Sequence, residues 1–321
     1  MSELLLEIRD LHVHFSSAHG MVYALNGVNL RVHKHETMGL VGETGCGKSM
    51  TALAVLGLIP PPGRLIRGRI LFEGEDLTRK SDAELRAIRG NRMSIIFQSP
   101  GSSLNPVYQA QAQPLDVLKY HRRLKKEEAR EQLLNLLGRL GMPDPERIVR
   151  AYPHELSGGM QQRVMIAMAM LCNPALLIAD EATSALDVTI QAQILKLLKS
   201  LRSEFGTSLL LITHDLGIVA QVCDRVAVMY TGSVVEIADV VSVFERPQHP
   251  YTQGLLHSIP VITRPQRRLE EVHGSVPSMI DPPTGCRFHP RCPRAAGLCC
   301  QQEPELRETL PGHRVACHYP G

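Results

Sequence analysis

The chain has 321 residues, 44% of them hydrophobic, enough for one large or two ordinary domains with a proper core. Thirty-five basic residues stand against 32 acidic ones, a net charge of +3, which gives no general signature of polyanion binding. No run of about eighteen apolar residues is uninterrupted, and the opening "MSELLLEIRDLHVHF" carries Glu3, Glu7, Arg9 and Asp10 where a secretory leader would be apolar, so neither a helical span nor an export signal is expected.

In chain order, the first segment that carries chemistry is "HETMGLVGETGCGKSM", His35 to Met50. The apolar run Met38 to Val41 predicts a buried strand, and "TALAVLGLI" behind it predicts a helix. Between them Gly42, Glu43, Thr44, Gly45, Cys46, Gly47, Lys48 and Ser49 fit G-x-x-x-x-G-K-[ST] in full, with Met50 following. A glycine-rich turn could match by chance, but strand before and helix after are the context in which the pattern binds nucleotide. Backbone amides then face phosphate oxygens at a helix start. Lys48 supplies charge to the β- and γ-phosphates, and the Ser49 hydroxyl is placed for Mg²⁺. Cys46 reads either as a thiol made acidic by the helix start or, preferably, as filler.

Pro60 to Gly63, "PPPG", reads as a turn, and residues 68–77, "GRILFEGEDL", alternate like an antiparallel strand ending in a turn. Ala129, Leu133, Leu136, Leu137 and Leu140 recur at helical spacing. The basic run "HRRLKK" before them, His121 to Lys126, is either a nucleic-acid patch or a solvated helix start, and the weak net charge favours the second. Ser157-Gly158-Gly159 then precedes a mostly apolar helix, a second anion-binding geometry. One nucleotide has no use for two such cradles unless the second serves a nucleotide held by a partner. "ALLIADEATSALD" predicts a strand ending in Asp180-Glu181. A carboxylate at that end suits Mg²⁺, and its neighbour can orient or deprotonate an attacking water.

These segments, in this order, resemble the ATPase subunit of ABC transporters, with Leu156 to Gln161 matching its signature motif and the likeness running from Leu4 to about Leu256. The resemblance implies an α/β fold: a P-loop RecA-like core, an antiparallel β subdomain and an inserted helical subdomain at about 99–163, together spanning 1–250. It implies that Phe15 stacks on adenine, that Gln98 in "SIIFQSP" senses Mg²⁺ beside Ser49 and Asp180, and that Glu181 is the catalytic carboxylate. His214, closing the apolar run of "LLLITHDL", would contact the γ-phosphate, and Ser184 to Asp187 would form the D-loop. Ser157, Gly158, Gly159 and Gln161 would complete a partner's site. One departure is Ala182, where the family usually has proline; it relaxes a φ constraint and leaves the carboxylates in place.

"SSLNP" (Ser102 to Pro106) and "RPQHPYTQGLL" (Arg246 to Leu256) resemble the oligopeptide/dipeptide importer group, which also contains nickel and glutathione importers. His249 and Tyr251 could be ligands, but a proline-flanked docking segment is the preferred reading. Residues 251–321 form an extension holding five of the eight cysteines. A chain without an export signal is expected in a reducing compartment, where disulfides are rare. Cys286, Cys292, Cys299 and Cys317 supply four thiolates, enough for an Fe–S cluster or a Cys₄ zinc site, and spacing alone leaves both open. Resemblance to D-type dipeptide importer subunits implies a [4Fe–4S] cluster, with Cys300 spare. Pro282, Pro283, Pro290 and Pro293 predict an irregular tail ordered by metal rather than by helix or sheet.

The resemblance implies an ATPase using ATP and Mg²⁺ on the cytoplasmic face of the membrane, peripheral to it. Its partners would be a second, non-identical ATPase subunit, two transmembrane permease subunits and, indirectly, a substrate-binding protein, with no nucleic acid. A soluble ABC ATPase acting on nucleic acid or ribosomes usually carries a second ATPase domain or long coiled coil, and a P-loop kinase has no use for the signature.

Overall fold

The computed structural model describes residues 3–184, 187–258 and 272–321. The chain divides into two compact units. One comprises Met1–Glu3, His33–His35 and Arg79–Leu210, the other Leu4–Val32, Glu36–Thr78 and Leu211–Gly321.

In the first unit, strands Met93–Ile96 and Leu176–Asp180 pair in parallel, from Met93 opposite Leu176 to Ile96 opposite Ala179. The second of these is buried along its whole length and delivers Asp180 to its carboxyl end. Helix Lys126–Arg139 buries Ala129, Leu133, Leu136 and Leu137, the face its sequence spacing predicts, and Leu140 is buried at its C-cap. The basic run before it joins two helices. Arg122 ends helix Ala112–Arg122 and donates to the Cys172 carbonyl, Arg123 turns the chain at φ +54°, and Lys125 caps the next helix. Arg122, Arg123, Lys125 and Lys126 are all exposed, as a solvated helix start would leave them.

The second unit contains two sheets. Strands Gly20–His33, Leu4–Ser17, Arg64–Phe72 and Glu75–Asp76 form one in that order, Leu4–Ser17 running antiparallel to Arg64–Phe72. This is the antiparallel element that residues 68–77 predict. In the other, Thr37–Val41 pairs in parallel with Arg225–Tyr230, which pairs antiparallel with Ser233–Asp239.

The tail departs from the irregular structure expected of it. Strand His313–Val315 adds antiparallel to Ser233–Asp239, with Glu236 opposite Val315, and pairs in turn with Arg307–Leu310. Leu310 faces His313 across Pro311-Gly312, and Gly312 sits at φ +72°, the left-handed conformation that the second central residue of a Pro-Gly turn needs. Helix Gly297–Gln301 adds a further regular element. An apolar anchor accompanies them. Phe288 is buried against Tyr230, Tyr251 and His249, at ring-centroid separations of 5.2, 5.4 and 5.6 Å. Sheet pairing and aromatic burial thus order the tail, which corrects the expectation that a metal alone would do so. Among the described residues no helix is long and apolar enough to cross a membrane.

Candidate functional site

The P-loop is built as its sequence implies. It leaves strand Thr37–Val41 and enters helix Lys48–Val55, whose N-cap Gly47 lies at φ +104°. A Cβ on Gly47 would stand 2.8 Å from the Ala24 carbonyl oxygen, and one on Gly42 only 2.1 Å from that of Met229, so neither position accepts a side chain. Lys48 is buried, its Nζ donating to the carbonyls of Gly42 at 2.8 Å and Glu43 at 3.0 Å, inside the loop where a triphosphate's charge would lie. Thr44, Gly45 and Ser49 are exposed, and Met50 is half-buried in the first helical turn. Burial pushes the Cys46 thiol up, against the pull of nearby Lys48. Cys46 therefore packs the loop and is no acidic nucleophile. Phe15 is half-buried on strand Leu4–Ser17, and a Cβ on Gly63 would reach to 2.5 Å from its ring, so the glycine of "PPPG" leaves that ring its space. His214 follows strand Ser208–Thr213 and is exposed.

In the first unit, Glu181 follows Asp180 at φ +46°, a left-handed conformation rare for a residue with a side chain. Such strain gathers at functional sites. Gln98 donates through Nε2 to Glu181 Oε2 at 2.9 Å, which joins two residues the sequence connects only through family resemblance. Asp180 is buried at 8% exposure, and Ala182 beside this pair is buried as well. The buried Asp180 carboxylate and the Gln98 amide oxygen of this unit are hard oxygen donors of the kind Mg²⁺ prefers, and the exposed Ser49 hydroxyl of the other unit is one by its own chemistry.

Ser157 caps helix Gly158–Met170, its hydroxyl accepting from the Met160 amide, so Gly158 and Gly159 fall in the first helical turn. Gln161 faces inward and holds the preceding turn through the carbonyls of Pro153 and Leu156, at 2.7 and 3.2 Å. Asp187 caps helix Val188–Phe205 by accepting from Ile190. Of the D-loop expectation, Ala185 and Leu186 lie outside the described residues.

In the tail, Cys286, Cys292, Cys299 and Cys317 line one small cavity of about 10 Å³ together with His249, and Cys300 is exposed and does not line it. Burial raises Cys286 to about 11 and, as the leading cause, also raises Cys292 and Cys317; thiolates at the neighbouring cysteines would raise each further. Ionising these thiols together therefore needs a compensating cation, and four sulfurs match a thiolate-bound metal in kind and number. The expected ligand geometry is not present, however. Among the described residues no three His, Cys, Asp or Glu side chains converge closely enough to hold a metal ion.

Two functional contacts escape the sequence reading. His249 and Tyr251, within the segment read as a docking element, are both buried, so neither side chain is presented to a partner. His249 caps helix Pro250–His257 by accepting the Tyr251 amide on Nδ1 at 3.0 Å, and burial pushes its pKa down to about 3. The Tyr251 hydroxyl in turn accepts the backbone amide of Glu43 in the P-loop at 2.9 Å. Arg291 grips the Glu43 carboxylate with both terminal guanidinium nitrogens, Nη1 at 2.8 Å and Nη2 at 3.1 Å. Both contacts span more than two hundred residues of sequence, so no local pattern announces them.

Comparison with known proteins agrees with this geometry. Residues 25–184 match the family described as ABC transporter, and residues 235–299 match the oligopeptide/dipeptide transporter C-terminal region. Among solved structures, the ATP-binding cassette MJ0796 in a dimeric post-hydrolysis state with ADP and Pi superposes with a TM-score of 0.65 at 28% identity, covering 74% of this chain and 99% of that one. That defines the fold as an ABC ATPase cassette. Oligopeptide transport ATP-binding protein AppD of Bacillus subtilis is 50% identical over 98% of this chain and 96% of its own length. The probable peptide ABC transporter ATP-binding protein y4tR of Sinorhizobium fredii is 49% identical over 98% and 95%. Dipeptide transport ATP-binding protein DppD of Escherichia coli is 45% identical over 98% and 97%. The chain belongs to the ABC transporter ATP-binding proteins, in the branch that carries the oligopeptide/dipeptide C-terminal region. It is an ATPase.

Proposed function

We propose that this chain hydrolyses ATP to drive a di- or oligopeptide importer. The observation that carries the reading is the closed phosphate cradle with Lys48 already turned into it. ATP binds with its phosphates on the amides of Gly45 to Ser49 and its base against Phe15. Ser49, Asp180 and Gln98 would hold Mg²⁺, which would neutralise charge at the phosphates. Glu181 takes a proton from the attacking water as its oxygen bonds to the γ-phosphorus and the bond to the β-phosphate oxygen breaks, giving ADP and phosphate. Gln98, bonded to Glu181, orients that carboxylate, and His214 contacts the γ-phosphate. Ser157, Gly158 and Gly159 complete the site of a second ATPase subunit, a non-identical one, with Gln161 and Asp187 shaping the two helix starts.

In this reading the ATPase domain occupies 1–250, with its helical subdomain at about 99–163, and 251–321 is the importer extension. The chain works on the cytoplasmic face of the membrane, beneath two permease subunits that receive peptide from a binding protein. Cys286, Cys292, Cys299 and Cys317 hold a [4Fe–4S] cluster, Cys300 remaining spare; the gathering of four sulfurs around one cavity supports this. Proteoliposomes holding the assembled transporter and its binding protein should take up a dipeptide only with ATP inside the compartment that this chain faces. Uptake of nickel or glutathione instead would refute the peptide assignment. Anaerobically purified protein should contain about four irons per chain, and one zinc would refute the cluster.

A further inference from the structure

We propose that the cysteine tail is a working part of the nucleotide site, with Arg291 and Tyr251 as positioning residues that hold the P-loop through Glu43. The inference rests on the P-loop being the ATP site, as proposed above. Glu43 is the first residue inside the loop, and all three of its polar groups are held. Tyr251 takes its amide, Lys48 donates to its carbonyl, and Arg291 grips its carboxylate.

Arg291 is itself fixed. Its side chain is only 4% exposed, and it donates to the carbonyls of His273 at 2.9 Å and Val272 at 3.0 Å, and to the Tyr230 hydroxyl at 3.4 Å. Tyr251 is locked by its helix cap and by Phe288 and Tyr230 packed on its ring. The brace is therefore a rigid one, built from the tail and the His-Pro-Tyr helix together.

Charge gives the brace its purpose. A carboxylate in the loop that receives a triphosphate repels the ligand unless it is neutralised, and a bidentate guanidinium neutralises it with fixed geometry. The tail thus supplies the counter-charge that lets a glutamate occupy the loop. Arg291 lies next to Cys292 and five residues from Cys286, both of which line the cysteine cavity, so ordering of that cavity and ordering of the P-loop share one segment.

The test is a double-mutant cycle on the full-length chain in its assembled transporter, reading equilibrium binding of a fluorescent ATP analogue together with KM and kcat for ATP. Arg291→Ala should weaken binding and raise KM roughly tenfold, the scale of one uncompensated charge beside the phosphates, with kcat changed far less. Arg291→Lys should recover part of the loss. In a Glu43→Gln background, Arg291→Ala should cost less than about threefold further, because the charge it neutralised is gone. Equal losses in both backgrounds would overturn the proposal and leave Arg291 a merely structural residue. Should Arg291→Ala not fold, Arg291→Gln, which removes the charge but keeps a hydrogen-bonding side chain, carries the same cycle. Lys48→Ala separates the premise from the inference. If it binds the analogue as wild type does, the P-loop reading fails; if it loses binding while Arg291→Ala does not, only the brace fails.

Discussion

His249→Asn should remove a specific part of the protein's acid sensitivity. His249 is 1% exposed, and its Nδ1 is occupied by the Tyr251 amide, so the neutral ring carries its proton on Nε2. Protonation must take place on Nδ1, which breaks the helix cap, and burial disfavours the cation as well; the pKa falls to about 3. The unfolded chain binds this proton near pH 6.5. A depressed folded pKa means that the stability is fully present above 6.5 and is lost as pH falls toward 3. Between pH 7 and pH 5 the loss is about 2 kcal/mol, from about 1.5 pH units below the unfolded pKa at 1.36 kcal/mol each. Asparagine keeps a capping oxygen and does not titrate. Urea unfolding of both proteins at pH 7 and pH 5 gives the difference directly, since all other titrating groups are shared. The variant should lose about 2 kcal/mol less than wild type across that interval. Identical losses would refute the buried, capped imidazole.

Phe288→Ala should cost about 3–5 kcal/mol, as expected for a buried aromatic truncated in a packed core, and should expose Arg287 and Arg291 to trypsin; unchanged urea unfolding and unchanged cleavage at those two residues would show that the tail is not anchored by this ring. In metal-free protein, Cys286, with its pKa near 11, should alkylate far more slowly at pH 8 than exposed Cys300. Its rate should climb about tenfold per pH unit up to that pKa, and equal labelling at pH 8, read by mass spectrometry, would contradict the burial of the thiol.

What the sequence reveals and what it hides follow from range. The P-loop is legible because cradle, lysine and serine lie within eight consecutive residues whose geometry glycine dictates locally. The strand ending in Asp180-Glu181 and the apolar face from Ala129 to Leu140 are legible for the same reason. The tail hairpin carried a readable signal, "RETLPGHRV", with Pro-Gly between alternating segments. The prolines that disfavour regular structure, Pro282, Pro283, Pro290 and Pro293, all lie upstream of it, and Pro311 serves the turn. Phe288 and Tyr251 could not be placed in this way, since one aromatic in a proline-rich stretch has no period to betray its partner. The Glu43–Arg291 pair is the clearest case. Each residue is an ordinary surface type, and only the fold brings them together. His249 is instructive in the opposite sense: its proline-flanked motif is visible in the sequence and reads as a docking segment, whereas the fold uses the imidazole as a buried helix cap.

The central claim is that ATP held by the Lys48 loop is cleaved with Glu181 as base, and steady-state ATPase activity of the assembled transporter carrying Glu181→Gln tests it most directly. The glutamine keeps the shape and a hydrogen bond to Gln98 but cannot take the proton. Turnover should fall about 10²-fold or more while ATP binding persists, and near wild-type turnover would contradict the account.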